Sequence, residues 1–211
     1  MIKYLHKKGK DIMKRYTQNE TDKLAEILKK DGIISVPTDT VYGICARMNS
    51  IKAYDNLMKI KERPSTKIFP IMCADKEQIK SVAMIDEKVE KLIHSFMPGP
   101  ITLILRKRLE IPNYVTNGLA TIAVRMATSK ALEDLIRKTG CPIFMTSANK
   151  SGEATCTNLD EIEKTFPTLD AIMEGDVSFG KGSTIVDCVS EPIKILREGP
   201  ISMEQIVEAL N

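Results

Sequence analysis

The chain has 211 residues, 43% of them hydrophobic and 28% charged, with a formal net charge of +3. That length suits one large domain or two small ones, with a core that needs no disulfide or metal staple. No apolar run approaches the ~18 residues of a membrane-spanning helix, so no such span is expected.

In chain order, the segment MIKYLHKKGKDIMKRY comes first, with six Lys or Arg against one Asp in residues 1–16. It lacks the apolar stretch of a secretory signal, and it is Lys-rich and Ser-free, which fits a transit peptide poorly. It reads as a solvated basic extension ahead of a domain over 17–211, and the rest of the chain is slightly acidic. TQNE (17–20) has capping-box spacing and introduces a helix with Leu24, Ile27 and Leu28 on one face, ending at Gly32. IISV (33–36) reads as a buried strand stopped by Pro37. Ser50 can cap a helix with Ile51, Tyr54, Leu57 and Met58 inward, ended by Pro64. IFPIMC (68–73) reads as a strand, and short helices follow near 76–83 and 87–96. The second of these carries Val89, Leu92, Ile93 and Phe96 at helical spacing.

After the MPGP break, strands are expected at 101–106 and 121–126. A helix over 129–139 follows, closed by Gly140, then a strand over 142–147. TNLD caps a helix to about Phe166; strands follow at 170–174, 183–189 and 192–197, and SMEQ caps a last helix. Helices and strands alternate without clean βαβ repeats. The expected fold class is α/β, one domain around a twisted mixed sheet.

Cys45, Cys73, Cys141, Cys156 and Cys188 are odd in number and contain no C-x-x-C pair. A disulfide framework or zinc ribbon is not expected, and a reducing cytoplasm suits them. His6 and His94 are the only histidines, which argues against Ser–His or Cys–His catalysis and against His-ligated metals. Chemistry would have to rest on positioning and electrostatics.

Four polar clusters sit beside strand ends, where open α/β sheets bind ligands. PTDTVYG (37–43) reads as a hydroxyl- and Asp-capped turn. KIKERPSTK (59–67) gathers Lys59, Lys61, Arg63 and Lys67. It suits either a phosphate clamp or a solvated helix end whose cations complement the macrodipole. In TIAVRM, Thr121, Ala123 and Arg125 share one strand face. Arg125 must then meet an internal carboxylate or face a polar cavity, and the shared Thr121 favours the cavity. MTSANKSGEAT (145–155) steps from a buried strand into small hydrogen-bonding residues, which suits an anion cradle better than an ordinary surface loop.

These clusters are not independent. VPTDTVYG, KIKERP, FMPGPITLIL, TIAVRM, TSANKSG, GSTIVD and ILREGP occur in that order between residues 20 and 205. In this the chain closely resembles the YrdC/TsaC-type threonylcarbamoyl-AMP synthases. The resemblance implies a single YrdC-like α/β domain, its sheet flanked by helices, with a large, positively lined concave cavity. It implies a reaction of L-threonine, bicarbonate or CO₂, and ATP to threonylcarbamoyl-AMP and pyrophosphate, with Mg²⁺ carried on the ATP phosphates rather than held by protein ligands. The product would pass to tRNA threonylcarbamoyl-transfer machinery that modifies the adenosine beside the anticodon.

By the same resemblance, Lys61, Arg63, Ser147 and Asn149 form a catalytic tetrad. Lys61 and Arg63 would hold ATP phosphates and steady charge as pyrophosphate leaves. Arg63, Lys67, Thr121, Ser147, Asn149, Thr155 and Arg197 would contact ATP; Thr40, Arg125, Met145 and Ser183 would contact threonine. Two departures stand out. Met72 occupies a position that is His in many long members, and 211 residues leave no room for the long form's second domain. A short form is therefore expected, with the basic tail as a candidate for closing over the nucleotide.

Two other functions stay open: a carbamoyl-adenylate-forming relative of hydrogenase maturation, and a non-enzymatic RNA-binding module. Only weak RNA binding is expected, since ten Phe and Tyr and no Trp are available for stacking. Finally, GDVSFGKGST (175–184) nearly spells a P-loop, but Gly182 stands where Ser or Thr would hold Mg²⁺. A β-branched strand pattern also follows where a P-loop needs a helix. Gly180 and Gly182 read instead as close-approach backbone delivering Ser183 to the cavity, with Lys181 a peripheral cation.

Overall fold

The computed structural model describes residues 13–62, 64, 67–177 and 182–211. Its strands are β1 (Lys14–Tyr16), β2 (Ile34–Val36), β3 (Gly43–Arg47), β4 (Ile71–Cys73), β5 (Ile101–Arg106), β6 (Thr121–Met126), β7 (Ile143–Ser147), β8 (Ala171–Met173), β9 (Thr184–Asp187) and β10 (Lys194–Arg197). Its helices are α1 (Thr21–Lys29), α2 (Ile51–Lys61), α3 (Lys76–Val82), α4 (Glu87–Phe96), α5 (Asn113–Thr116), α6 (Lys130–Thr139), α7 (Leu159–Thr165) and α8 (Met203–Leu210). The strands join into one sheet in the order β1-β8-β2-β3-β7-β4-β6-β5-β9-β10. Pairing is mixed: β1–β8, β2–β8, β4–β6 and β5–β9 are parallel, and the other neighbours are antiparallel.

Period-two alternation divides the buried strand residues between two layers. Ile71 and Cys73 of β4, Phe144 of β7 and Ile122 and Val124 of β6 enter one core, with Leu57 of α2, Leu92 of α4 and Ile206 of α8. Met72, Ile143 and Met145 point the other way, against Leu24 and Leu28 of α1 and Leu132, Leu135 and Ile136 of α6. That second layer covers β2, β3, β7 and β4. Beyond it, the same face of β6, β5 and β9 presents Ala123, Arg125, Thr102, Ile104 and Ile185 to a cavity instead of to helix side chains.

Local chemistry fixes the helix ends. The side chains of Ser50, Asp75, Asp86, Ser129 and Asn158 each accept a backbone N–H three residues on, and Ser202 with Gln205 completes a capping box. Gly140 closes α6 with φ 84°, in the left-handed region.

Several expectations need correcting. α1 starts at Thr21 with Glu20 as its N-cap residue. The Thr17 hydroxyl donates to the Glu20 carboxylate instead of capping the helix itself. Within TNLD, which does cap α7, the capping side chain is that of Asn158, while the N–H and hydroxyl of Thr157 both bind Glu161. Ile51 is 58% exposed, on the outer face of α2. β4 is shorter than the 68–73 run. The sheet begins at Lys14, inside the segment set apart as an extension. β3 and α5 were not anticipated.

Candidate active site

The cavity encloses about 290 Å³ at one end of the sheet. Its floor is the uncovered face of β5, β6 and β9. Its walls come from Thr38 and Thr40 before β3, Met145 and Ser147 of β7, Gly182 and Ser183 before β9, and Arg197 at the end of β10.

Arg125 is the charged element of the floor and is 7% exposed. Its Nη2 donates to Asp39 Oδ1 at 2.9 Å and to the Gly99 carbonyl at 3.3 Å, and its Nη1 donates to Thr40 Oγ1 at 3.3 Å. Thr128 donates to the same Asp39 oxygen. Burial lowers the Arg125 pKa from its usual value, and the Asp39 charge opposes that shift. Arg125 Nε and Asp39 Oδ2 are buried without a hydrogen-bond partner among the described residues. The two readings of Arg125 drawn from sequence are therefore both met: it pairs with a carboxylate and it lines the cavity. Asp39 was the missed residue.

The turn that carries Asp39 is self-supporting. Thr38 Oγ1 donates to the Val41 carbonyl at 2.6 Å and accepts the N–H groups of Thr40 and Val41. At Gly43, which follows, a Cβ would lie 2.3 Å from Met145 Sδ, so the thioether packs directly against the glycine. Met145 itself lines the cavity.

On the opposite wall, Arg197 donates to the Ser183 carbonyl through Nε at 3.0 Å and Nη2 at 2.7 Å, and through Nη2 to Ser183 Oγ at 3.1 Å. The Ser183 and Thr102 hydroxyls are 2.7 Å apart. Burial lowers the Arg197 pKa, and the nearby Arg125 charge adds to the effect. A Cβ on Gly182 would sit 2.9 Å from the Arg197 guanidinium carbon, so the close approach expected of this glycine is present. A strand, β9, follows it.

Lys61, at the end of α2, is 1% exposed. Its ammonium donates to the Ser147 carbonyl at 2.6 Å, to the Asn149 carbonyl, and to Asn149 Oδ1 at 3.2 Å. Ser147 Oγ donates to the same Oδ1 at 2.5 Å. Asn149 Nδ2 donates to the carbonyls of Lys150 and Glu153.

Thr40, Arg125, Met145, Ser147, Ser183 and Arg197 thus line one cavity. Lys61 and Asn149 stand behind Ser147. Lys67 directly precedes Ile68, which lines the cavity. Thr121, paired across the sheet with Arg106, is not part of the lining. Thr155 borders a separate surface depression with Lys150, Glu153 and Lys164. Arg63, Gly180 and Lys181 lie outside the described residues. Met72 is fully buried in the second layer. Among the described residues no group of three or more His, Cys, Asp or Glu is placed to hold a metal ion. None of the described helices is long and apolar enough to cross a membrane.

A mixed open sheet whose uncovered end gathers two arginines and several hydroxyls around one small cavity defines an α/β protein with a polar, arginine-lined pocket. The chain belongs to the Sua5/YciO/YrdC family: the family model, described as "Telomere recombination", matches residues 26–199. A Methanocaldococcus jannaschii relative is 34% identical over 92% of this chain and 96% of its own length. A Pyrococcus abyssi relative named threonylcarbamoyl-AMP synthase is 32% identical over 88% of this chain and 56% of its own. The solved structure of P. abyssi Sua5 complexed with L-threonine superposes with a TM-score of 0.87 at 29% identity, covering 94% of this chain and 61% of that one. The chain therefore spans little more than half of the Pyrococcus protein and nearly all of the Methanocaldococcus one. Escherichia coli YciO shares the fold, with a TM-score of 0.84 at 23% identity over 92% of this chain and 100% of its own.

Proposed function

We propose that this protein is a threonylcarbamoyl-AMP synthase, a nucleotidyltransferase that uses L-threonine, bicarbonate or CO₂, and ATP. The observation that carries the reading is the placing of Arg125 and Arg197 on one cavity, where among the described residues only Arg125 has a carboxylate ion-pair partner, Asp39. The surplus positive charge suits two anionic reactants that would otherwise repel each other.

Arg125 would bind the threonine carboxylate, with Thr40, Ser183 and the Met145 thioether around the rest of the amino acid. Arg197, Ser147, Asn149, Lys67 and Arg63 would serve ATP, and Thr121 and Thr155, which lie outside the cavity lining, would reach it only where the nucleotide extends beyond that cavity. The threonine amine adds to CO₂ and loses a proton, giving a carbamate. A carbamate oxygen attacks the ATP α-phosphorus, and the bond to the β-phosphate oxygen breaks to release pyrophosphate. No side-chain nucleophile is needed, in keeping with a chain that has two histidines. Ser147 lines the cavity and its Oγ, whose proton goes to Asn149 Oδ1, has lone pairs left to offer, the kind of oxygen a hard cation accepts, so Mg²⁺ arriving on ATP would fit here. When bound, Mg²⁺ would neutralise phosphate charge. The product would serve tRNA threonylcarbamoyl transfer, in a cytoplasmic setting.

The test incubates protein with ATP, Mg²⁺, bicarbonate and radiolabelled threonine. Threonine-dependent pyrophosphate and a labelled adenylate are expected. Turnover of carbamoyl phosphate in place of threonine would favour the hydrogenase-maturation type of chemistry. No pyrophosphate together with tight, salt-sensitive RNA binding would favour an RNA-binding module.

A further inference from the structure

We infer that Lys61 is a positioning residue. Its buried ammonium sets the loop after β7 and fixes the Ser147 hydroxyl as a hydrogen-bond acceptor facing the cavity. The inference rests on the reading of this cavity as an ATP site. It gives Lys61 a role different from the phosphate contact that the family resemblance implies.

A buried ammonium is costly unless its N–H groups find acceptors. Lys61 has three such acceptors on one short loop: the Ser147 carbonyl, the Asn149 carbonyl and Asn149 Oδ1. The Phe166 ring lies beneath it, 5.9 Å from Nζ to centroid. The loop answers in kind, since the Ser151 N–H donates to the Lys61 carbonyl at 3.3 Å. The end of α2 and the loop after β7 are therefore tied in both directions.

The consequence runs through Asn149. With Oδ1 held by the ammonium and Nδ2 by two carbonyls, the amide can stand only one way round. Oδ1 then takes the single proton of Ser147 Oγ at 2.5 Å. What Ser147 offers the cavity is lone pairs. A ligand group meeting it must be a donor or a cation, such as a ribose hydroxyl or a metal-bound water, and not an unprotonated phosphate oxygen.

Two measurements test this. In ligand-free wild-type protein labelled with ¹⁵N-lysine, the Lys61 ammonium should be protected from solvent exchange. Exchange as fast as that of exposed lysines would overturn the inference. The second uses Lys61→Arg, which keeps a phosphate-binding charge but replaces the compact ammonium with a planar fork that cannot match the same three acceptors. We expect kcat to fall at least ~10-fold while KM for ATP stays within about threefold. Amide exchange over 147–153 should quicken while the rest of the sheet is unchanged. Wild-type kcat with unchanged loop exchange would overturn it. Failure of the wild-type protein to make pyrophosphate would instead sink the proposed reaction and leave the ammonium result standing.

Discussion

Arg125 Nη2 lies 2.9 Å from Asp39 Oδ1, a pair that joins the middle of the sheet to a turn 86 residues earlier. Both side chains are largely buried, so losing one partner strands the other's charge. Removing one member of such a pair costs about 3 kcal/mol or more. Asp39→Ala should lower stability by about that amount in urea unfolding. Asp39→Asn should cost less, because its amide oxygen can still accept from Arg125. An unchanged unfolding midpoint in Asp39→Ala would show that the pair adds nothing to stability.

Cys45, Cys73, Cys141, Cys156 and Cys188 are all free and buried. Burial pushes the thiols of Cys45 and Cys73 far up and that of Cys188 up to about 12. The thiolate is the reactive species, so these groups are protected twice, by access and by protonation. Folded protein should react slowly with Ellman's reagent at mildly alkaline pH, and denatured protein should titrate five thiols at once. Rapid reaction of even one thiol in the folded state would point to a local opening of the core.

The Glu20 carboxylate is held down to about 2 from 4.5, first by the Lys23 ammonium and then by the N–H and hydroxyl of Thr17. Its folded value lies below its unfolded one. Its stabilising effect is therefore complete above pH 4.5 and lost as pH falls through about 2. Glu20→Gln should be less stable than wild type at neutral pH, with the gap closing across that acid range. Urea midpoints of both proteins against pH would check this. A gap that persists to the acid end would mean that Glu20 acts through packing or shape, not charge.

What could be read from sequence depended on how local the cause was. β5 and β6 carry β-branched alternation, and their limits match the expected 101–106 and 121–126. β3 reads GICAR, with little β-branched signal, and is a strand because β2 and β7 flank it. β1 is three residues long and exists through its pairing with β8. At the site, family resemblance pointed to six residues that now share a cavity. It could not say which carboxylate meets Arg125, since that contact closes only when the turn before β3 packs over β6. Nor could it say that Lys61 points inward, because a cation in the last turn of a helix suits solvent equally well.

Gly182 and Gly199 separate stability from ligand binding on the same wall. A Cβ at Gly182 would meet the guanidinium of Arg197 at 2.9 Å, the far end of a flexible side chain. A Cβ at Gly199 would lie 2.3 Å from the Thr184 backbone nitrogen and 2.7 Å from the Ser183 carbonyl carbon. The guanidinium can swing aside, but it then loses its bonds to the Ser183 carbonyl and hydroxyl. The backbone at Thr184 cannot move without disturbing β9 and its pairing with β5. Gly182→Ala should therefore keep nearly wild-type stability while KM for ATP rises about tenfold, the effect of losing ~1.4 kcal/mol of binding. Gly199→Ala should lower stability by about 2 kcal/mol or more, the range of overpacked sites. Thermal unfolding and steady-state kinetics on both variants would check the contrast. A destabilised Gly182→Ala with unaltered KM for ATP would place the role of Arg197 in holding the wall together, not in meeting the nucleotide.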